Sequence, residues 1–300
     1  PSHDEMPLIG WMNSMTPIEV PLFVMISGYF LLPLKLSVPD FFKRRFTRIL
    51  IPFVVWCVVY AVYYMLSRGD SWMDFVRNIL HIPVNFGVEI GHMWFIYMLL
   101  GLYMLVPVLS PWLVQCSQRQ LQGYLGVWAF TTCLPYIHLW FPEVLGECFS
   151  KPTPMLHYLT VFAGYFVWGY YIKRYGALPV RTSWLMLAGA YLFTVAVYQY
   201  RLGKVSLVSD LEVCWRFCGV NIAIMAYAVF SLVSRIKWQG TGIFGRWISQ
   251  VSGLSYAIYF IHLLMIFFWR DAFSEALGHV SLQIPLLTVA AFLSSYAVIW

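Results

Sequence analysis

The chain has 300 residues, of which 61% are apolar, 19% aromatic and only 11% charged, with a mean hydropathy of +0.71. A soluble domain is about a quarter charged, and 19 basic plus 13 acidic side chains cannot coat the surface left around 14 Trp, 20 Tyr and 23 Phe. Soluble globular, disordered and disulfide-scaffold classes are excluded, and the net charge of +6 points to asymmetric loops on a membrane rather than to nucleic acid.

Apolar stretches of roughly 17–25 residues occur nine times, near 17–34, 49–66, 93–114, 123–142, 157–172, 184–200, 217–234, 252–269 and 282–300. They predict an all-α, polytopic integral membrane bundle, with residues 1–300 forming a single domain. Counting Lys and Arg on alternate sides puts Lys35, Lys43, Arg44, Arg45, Arg48, Arg119, Lys173, Arg174, Arg181, Arg235, Lys237 and Arg246 together, twelve cations with one acid, Asp40. The other side takes the remaining seven cations and twelve acids. By the positive-inside rule the loop from Lys35 to Arg48 is cytoplasmic and residues 1–16 are outside. An outside start implies one more helix upstream, ten in all. Because Pro1 has no initiator Met or signal peptide behind it and Trp300 lies in an apolar run, the chain is expected to be a fragment at its amino end, with the carboxyl end also open to continuation. Six cysteines without CxxC or zinc spacing read as small apolar side chains, and no metal site is expected.

In chain order, the first segment of interest is Pro21–Leu32, whose Ser27–Gly28 pair allows close approach of a helix or of a ligand chain. Next, Lys43, Arg44, Arg45 and Arg48 precede Ile49-Leu50-Ile51-Pro52 at the mouth of a span. They read either as a topology and lipid anchor or as a phosphate clamp, since Arg45 and Arg48 are i and i+3 on a helix and present both guanidinium forks one way. His92 and Trp94 stand at the opposite rim, where an aromatic belt and a solvated histidine are the plain reading. Gly240-Thr241-Gly242-Ile243-Phe244-Gly245 matches a dinucleotide fingerprint but has no strand before it and is set aside. Finally Ser255, Tyr259 and His262 follow one stripe, at i, i+4 and i+7, ending near mid-membrane, where an ionisable group is either a hydrogen-bonded core residue or a functional one. Glu19 and His3 read as solvated positions.

Together, P-L-F-x-M-I-S-G-Y from Pro21, R-x-x-R before I-x-I-P from Arg45, H-x-W-F from His92 and S-x-x-I-Y-x-x-H from Ser255 resemble the membrane-bound acyltransferase-3 family, in this order along nearly the whole chain. The resemblance implies ten core helices with both ends cytoplasmic. It also implies transfer of an acyl group, commonly acetyl, from cytoplasmic acyl-CoA to a saccharide or glycolipid hydroxyl at the outer face of a bacterial inner membrane. Arg45 and Arg48, helped by Arg44 and Lys43, would hold the CoA phosphates, and the pantetheine arm would pass Ser27 and Gly28. His262, Tyr259 and His92 are the catalytic candidates, because the family's first-helix Arg followed about ten residues later by His has no counterpart here and His3 lacks that Arg. Competing classes are a secondary transporter or exporter of a glycan precursor and a non-catalytic partner in a polysaccharide synthase.

Overall fold

The structure, a computed structural model, describes residues 5–84, 91–141, 155–205, 208–238 and 240–300. Among them every regular element is helical. The chain divides into two compact units, Ser14–Arg235 and the pair of segments Pro1–Asn13 and Ile236–Trp300.

The larger unit holds α2 (Glu19–Leu31), α3 (Val38–Arg68), α4 (Trp72–His81), α5 (Trp94–Gln115), α6 (Gln118–Trp140), α7 (Met155–Tyr175), α8 (Val180–Arg201) and α9 (Val220–Val233). The boundaries follow local chemistry. Ser37 caps α3 by accepting from the Asp40 N–H, and Gly69 ends it in the left-handed region at φ 73°. Ser117 and Gln120 form a capping box at the start of α6. Once in the membrane, hydroxyls have no water to bond, and Ser110, Thr131, Thr132 and Thr194 each donate to a carbonyl three or four residues back in their own helix.

The most extensive packing in this unit is between α2 and α7, and it rests on two glycines. A Cβ on Gly28 would stand 1.8 Å from the Phe166 carbonyl oxygen, and one on Gly169 would stand 2.0 Å from that of Met25. The helices thus touch backbone to backbone, the small-residue contact of membrane bundles. Further along α7, the fully buried Trp128 of α6 fills the notch over Gly164 and donates to the Val161 carbonyl at 3.1 Å. Trp168 stacks on Tyr227 of α9 with ring centres 4.3 Å apart.

In the smaller unit, α1 (Met6–Asn13) accompanies α10 (Gly242–Ala276) and α11 (Val280–Ile299), which pack along each other. Trp269 of α10 donates to Ser294 of α11 at 3.2 Å, and the Glu5 carboxylate accepts from the first N–H of α11, Val280, at 2.8 Å.

Among the described residues seven stretches are long and apolar enough to cross a membrane: Met6–Leu31, Val38–Arg68, Gly91–Gln115, Val180–Arg201, Glu212–Val233, Gly242–Phe273 and Val280–Ile299. The remaining two predicted spans are helical, as α6 and α7, but are not among the seven. In α6 the interior Thr131, Thr132, Pro135, Tyr136 and His138 dilute the apolar run. Two boundaries also move. The cationic segment predicted as loop is the first three turns of α3, and α10 begins ten residues before its predicted span. Cys214 lies in a 3-10 turn, Glu212–Trp215, and Cys218 in the turn before α9; both are free thiols.

Candidate functional site

One end of the larger unit gathers the cations. Lys173 Nζ donates to the Leu32 carbonyl at 2.9 Å, Arg174 to that of Leu113 at 2.7 Å, and Arg235 to those of Ala177 and Leu178 at 2.6 Å. Each of these carbonyls lies at or just past the carboxyl end of a helix, where the aligned peptide dipoles favour a cation. Lys35 lies close enough to Lys173 for their charges to interact. These contacts engage Lys173, Arg174 and Arg235 with the fold.

Arg45 and Arg48 are placed otherwise. Phe41 packs edge-on against Tyr103 of α5, with ring centres 6.1 Å apart, and one and two turns further along α3 both Arg45 and Arg48 lie within electrostatic range of Tyr103. Arg45 is half-buried and Arg48 exposed, so their shared face borders the seam between α3 and α5. Lys43 and Arg44 are exposed. Two arginines on one helix face are chemically able to hold a phosphate, which takes bidentate hydrogen bonds from a guanidinium.

Gly28 takes the first of its two open roles, since the Phe166 backbone occupies its Cβ side. Ser27 is half-buried beside it. His92 sits in the 3-10 turn Gly91–Met93 ahead of α5, edge-on to Tyr60 of α3 with ring centres 5.6 Å apart. Tyr60 is fifteen residues beyond Arg45 on α3, about 22 Å along the axis. His92 and the Arg pair therefore occupy opposite ends of one helix. In the smaller unit, His262 Nδ1 lies 2.5 Å from the Tyr259 carbonyl one turn back in α10. A carbonyl only accepts, so Nδ1 carries the proton and Nε2 is the basic nitrogen. The Tyr259 and His262 rings are 6.0 Å apart, while Ser255 turns back to the Ser252 carbonyl.

The acyltransferase-3 family model, described as an acyltransferase domain, matches residues 2–300. The chain belongs to the acyltransferase-3 family. Comparison with curated proteins and with solved structures finds no match. This acyltransferase is thus a helical, multi-pass membrane protein whose family assignment covers nearly its whole length.

Two features of the acyltransferase escape a reading of motifs. Tyr103, across the seam from the Arg pair, is one tyrosine among 20. Asn221, 1% exposed at the start of α9, ties three elements together: its Oδ1 accepts from the Tyr136 hydroxyl of α6 at 2.7 Å, and its Nδ2 donates to Thr194 of α8 at 2.8 Å and to the Cys214 carbonyl at 2.7 Å. A signal for it existed, because Asn221 is the single asparagine inside any of the nine predicted spans, and a polar side chain at such depth needs partners.

Proposed function

We propose that this acyltransferase carries an acyl group, acetyl in the first instance, from cytoplasmic acyl-CoA to a hydroxyl of a cell-surface or lipid-linked saccharide, across a bacterial inner membrane. The observation that supports this reading is the Arg45–Arg48 face of α3 beside Tyr103, at an end of the bundle where Lys173, Arg174 and Arg235 are engaged with helix carbonyls. Arg45 and Arg48 grip the nucleotide phosphates, and Lys43 and Arg44 raise the local concentration of the anion.

In the reaction the saccharide oxygen bonds to the thioester carbonyl carbon and the C–S bond breaks. The hydroxyl proton passes through a base to the departing thiolate, so that an ester and free CoA thiol result. His262 is proposed as that base through Nε2, held in its tautomer by the Tyr259 carbonyl, with the Tyr259 hydroxyl as an oxyanion donor. His92, at the far rim from the clamp, is proposed to orient the acceptor. A thioester already carries its activation, so the transfer calls for neither ATP nor a metal.

The test is acyl-CoA affinity in detergent, on protein of matched folding. Replacing both Arg45 and Arg48 by Gln removes two charge-assisted contacts, each worth roughly 1.5–3 kcal/mol, and is expected to weaken binding by on the order of a hundredfold or more. The Arg→Lys pair keeps the charge but loses the forks and is expected to bind poorly. Unchanged affinity in the Gln pair overturns the clamp and returns these residues to the role of a lipid anchor.

A further inference from the structure

Glu19 is the one charged residue of the stretch Met6–Leu31, which is long and apolar enough to cross a membrane. It opens α2, and its side chain is exposed. Among the described residues its carboxylate has neither a hydrogen-bond nor an ion-pair partner. Its depth has an upper bound. α2 ends at Leu31, next to the Leu32 carbonyl that Lys173 holds at the cationic end, and the rise from Glu19 to Leu31 is about 18 Å. Tilt only shortens that distance across the bilayer. Measured from the cationic end, Glu19 therefore stops about 12 Å or more short of the far side of a hydrocarbon core of roughly 30 Å. A carboxylate at that depth is too costly to turn toward lipid chains and faces water or a polar partner.

Beside Glu19 runs a chain of aromatic rings. Phe23, one turn on and on the same face of α2, is 54% exposed, and its ring stands 6.0 Å from that of Phe95 at the start of α5. Trp94 continues the chain, edge-on to Phe95 at 6.4 Å, stacked on Phe217 at 5.6 Å and leaning on Phe162 of α7 at 5.8 Å. Phe217 is anchored in turn, because the fully buried Tyr165 donates to its carbonyl at 2.7 Å. Trp94, Phe95, Phe162 and Phe217 are each half-buried, so the rings support one another and still present surface. This is the end of the larger unit opposite the cationic mouth: α2 and α5 both begin here, and both finish beside Lys173 and Arg174.

Rings and carboxylate together match one ligand chemistry. An aromatic face is electron-rich and attracts the slightly positive C–H face of a pyranose, while a carboxylate accepts from two neighbouring hydroxyls at once. A lipid chain suits the rings but not the carboxylate, and a phosphate is repelled by it. We infer that Glu19, Phe23, Phe95 and Trp94 form the saccharide subsite, with the sugar's C–H face against the rings and adjacent hydroxyls donating to Glu19. The inference rests on the acyl-transfer reading above and gives its acceptor a place. His92, two residues before Trp94, is at the same end of the unit.

The experiment is saturation-transfer NMR on the full chain in phosphatidylethanolamine–phosphatidylglycerol nanodiscs. The probes are methyl β-D-glucoside, methyl β-D-galactoside and methyl N-acetyl-β-D-glucosaminide, with glycerol as a polyol that lacks a ring face. Saturating the protein's aromatic protons is expected to reach the ring C–H protons of at least one glycoside and not glycerol. Glu19→Gln is expected to weaken that binding about tenfold and Phe23→Leu about threefold. No transfer to any of the three glycosides, equal transfer to glycerol, or unchanged binding in either variant overturns the inference. Acyl-CoA affinity of the unaltered chain, measured alongside, separates the two readings. Glycoside binding without acyl-CoA binding refutes the transfer reaction and leaves the subsite standing, whereas acyl-CoA binding without glycoside binding removes the subsite alone.

Discussion

Replacing Gly28 by Ala tests whether the Ser27–Gly28 pair is a seam between helices or the wall of a ligand passage. The added methyl would stand 1.8 Å from the Phe166 carbonyl oxygen, 2.6 Å from its carbon and 3.0 Å from its Cα. An ordinary contact begins near 3.4 Å, so α2 and α7 must part by about 1.6 Å at the crossing. All three obstructing atoms are backbone, and no rotamer change relieves them. Overpacking of this kind costs roughly 1–3 kcal/mol, and a backbone obstruction belongs at the upper end. Ala offsets about 1 kcal/mol through its better helix propensity, which leaves a net loss of about 2 kcal/mol. The reciprocal Gly169→Ala, 2.0 Å from the Met25 oxygen, is expected to behave alike, while Gly101→Ala and Gly189→Ala, with open space around the new Cβ, should be neutral or slightly stabilising. Equilibrium unfolding in mixed micelles measures the loss, and acyl-CoA affinity per folded molecule is measured in parallel. Gly28→Ala with unchanged stability but weakened acyl-CoA binding would refute the packing argument and assign Gly28 to the donor path.

Asn221→Leu should destabilise the fold by about 2–4 kcal/mol, because it removes three hydrogen bonds and leaves the buried Tyr136 hydroxyl without its acceptor, whereas Tyr136→Phe removes one and should cost about 1 kcal/mol; equal losses in the two variants would show that Asn221 is not the hub. The hydrogen bonds that Asp74 accepts from the Ser71 hydroxyl and backbone N–H hold its carboxyl below the usual range. A carboxylate depressed in the folded state stabilises above its unfolded pKa, about 3.9, and that support disappears as pH falls through the lower folded value. Amide exchange along α4, corrected for the intrinsic pH effect, should therefore lose protection in acid, and Asp74→Asn should abolish the dependence; persistence of the acid limb in Asp74→Asn would refute its origin in this cap.

The crossings are legible because they depend on mean apolarity over a window, a local property that any partner tolerates. What a window misses is periodicity in short pieces: α4 carries two charges in ten residues, which lowers its average below notice, while the angular separation of those charges is what defines it. The Arg45–Arg48 face was legible because i and i+3 share a side of any helix, whereas Tyr103 was not, since only the packing of Phe41 on α5 brings it across. The asymmetry between Gly28 and Gly189 has the same origin. Each is a glycine in an apolar helix, and only the approach of a neighbouring backbone distinguishes them. His262 is an intermediate case, its place on one helix face with Ser255 and Tyr259 readable from the spacing and its tautomer only from the 2.5 Å approach to the Tyr259 carbonyl.

The ties from Lys173 to Leu32, from Arg174 to Leu113 and from Arg235 to Ala177 and Leu178 have a consequence for biogenesis. Positive side chains bias which way a hairpin enters the bilayer before any tertiary contact exists. Here three of those side chains later become fasteners, each closing on the carbonyl terminus of a segment at the same membrane face. A hairpin threaded backwards would bring its cation to the wrong face, out of reach of the carbonyl it must clasp, and would leave that helix terminus without its counter-charge. On the positive-inside expectation, the cations that orient the hairpins are then also the ones that fasten the bundle.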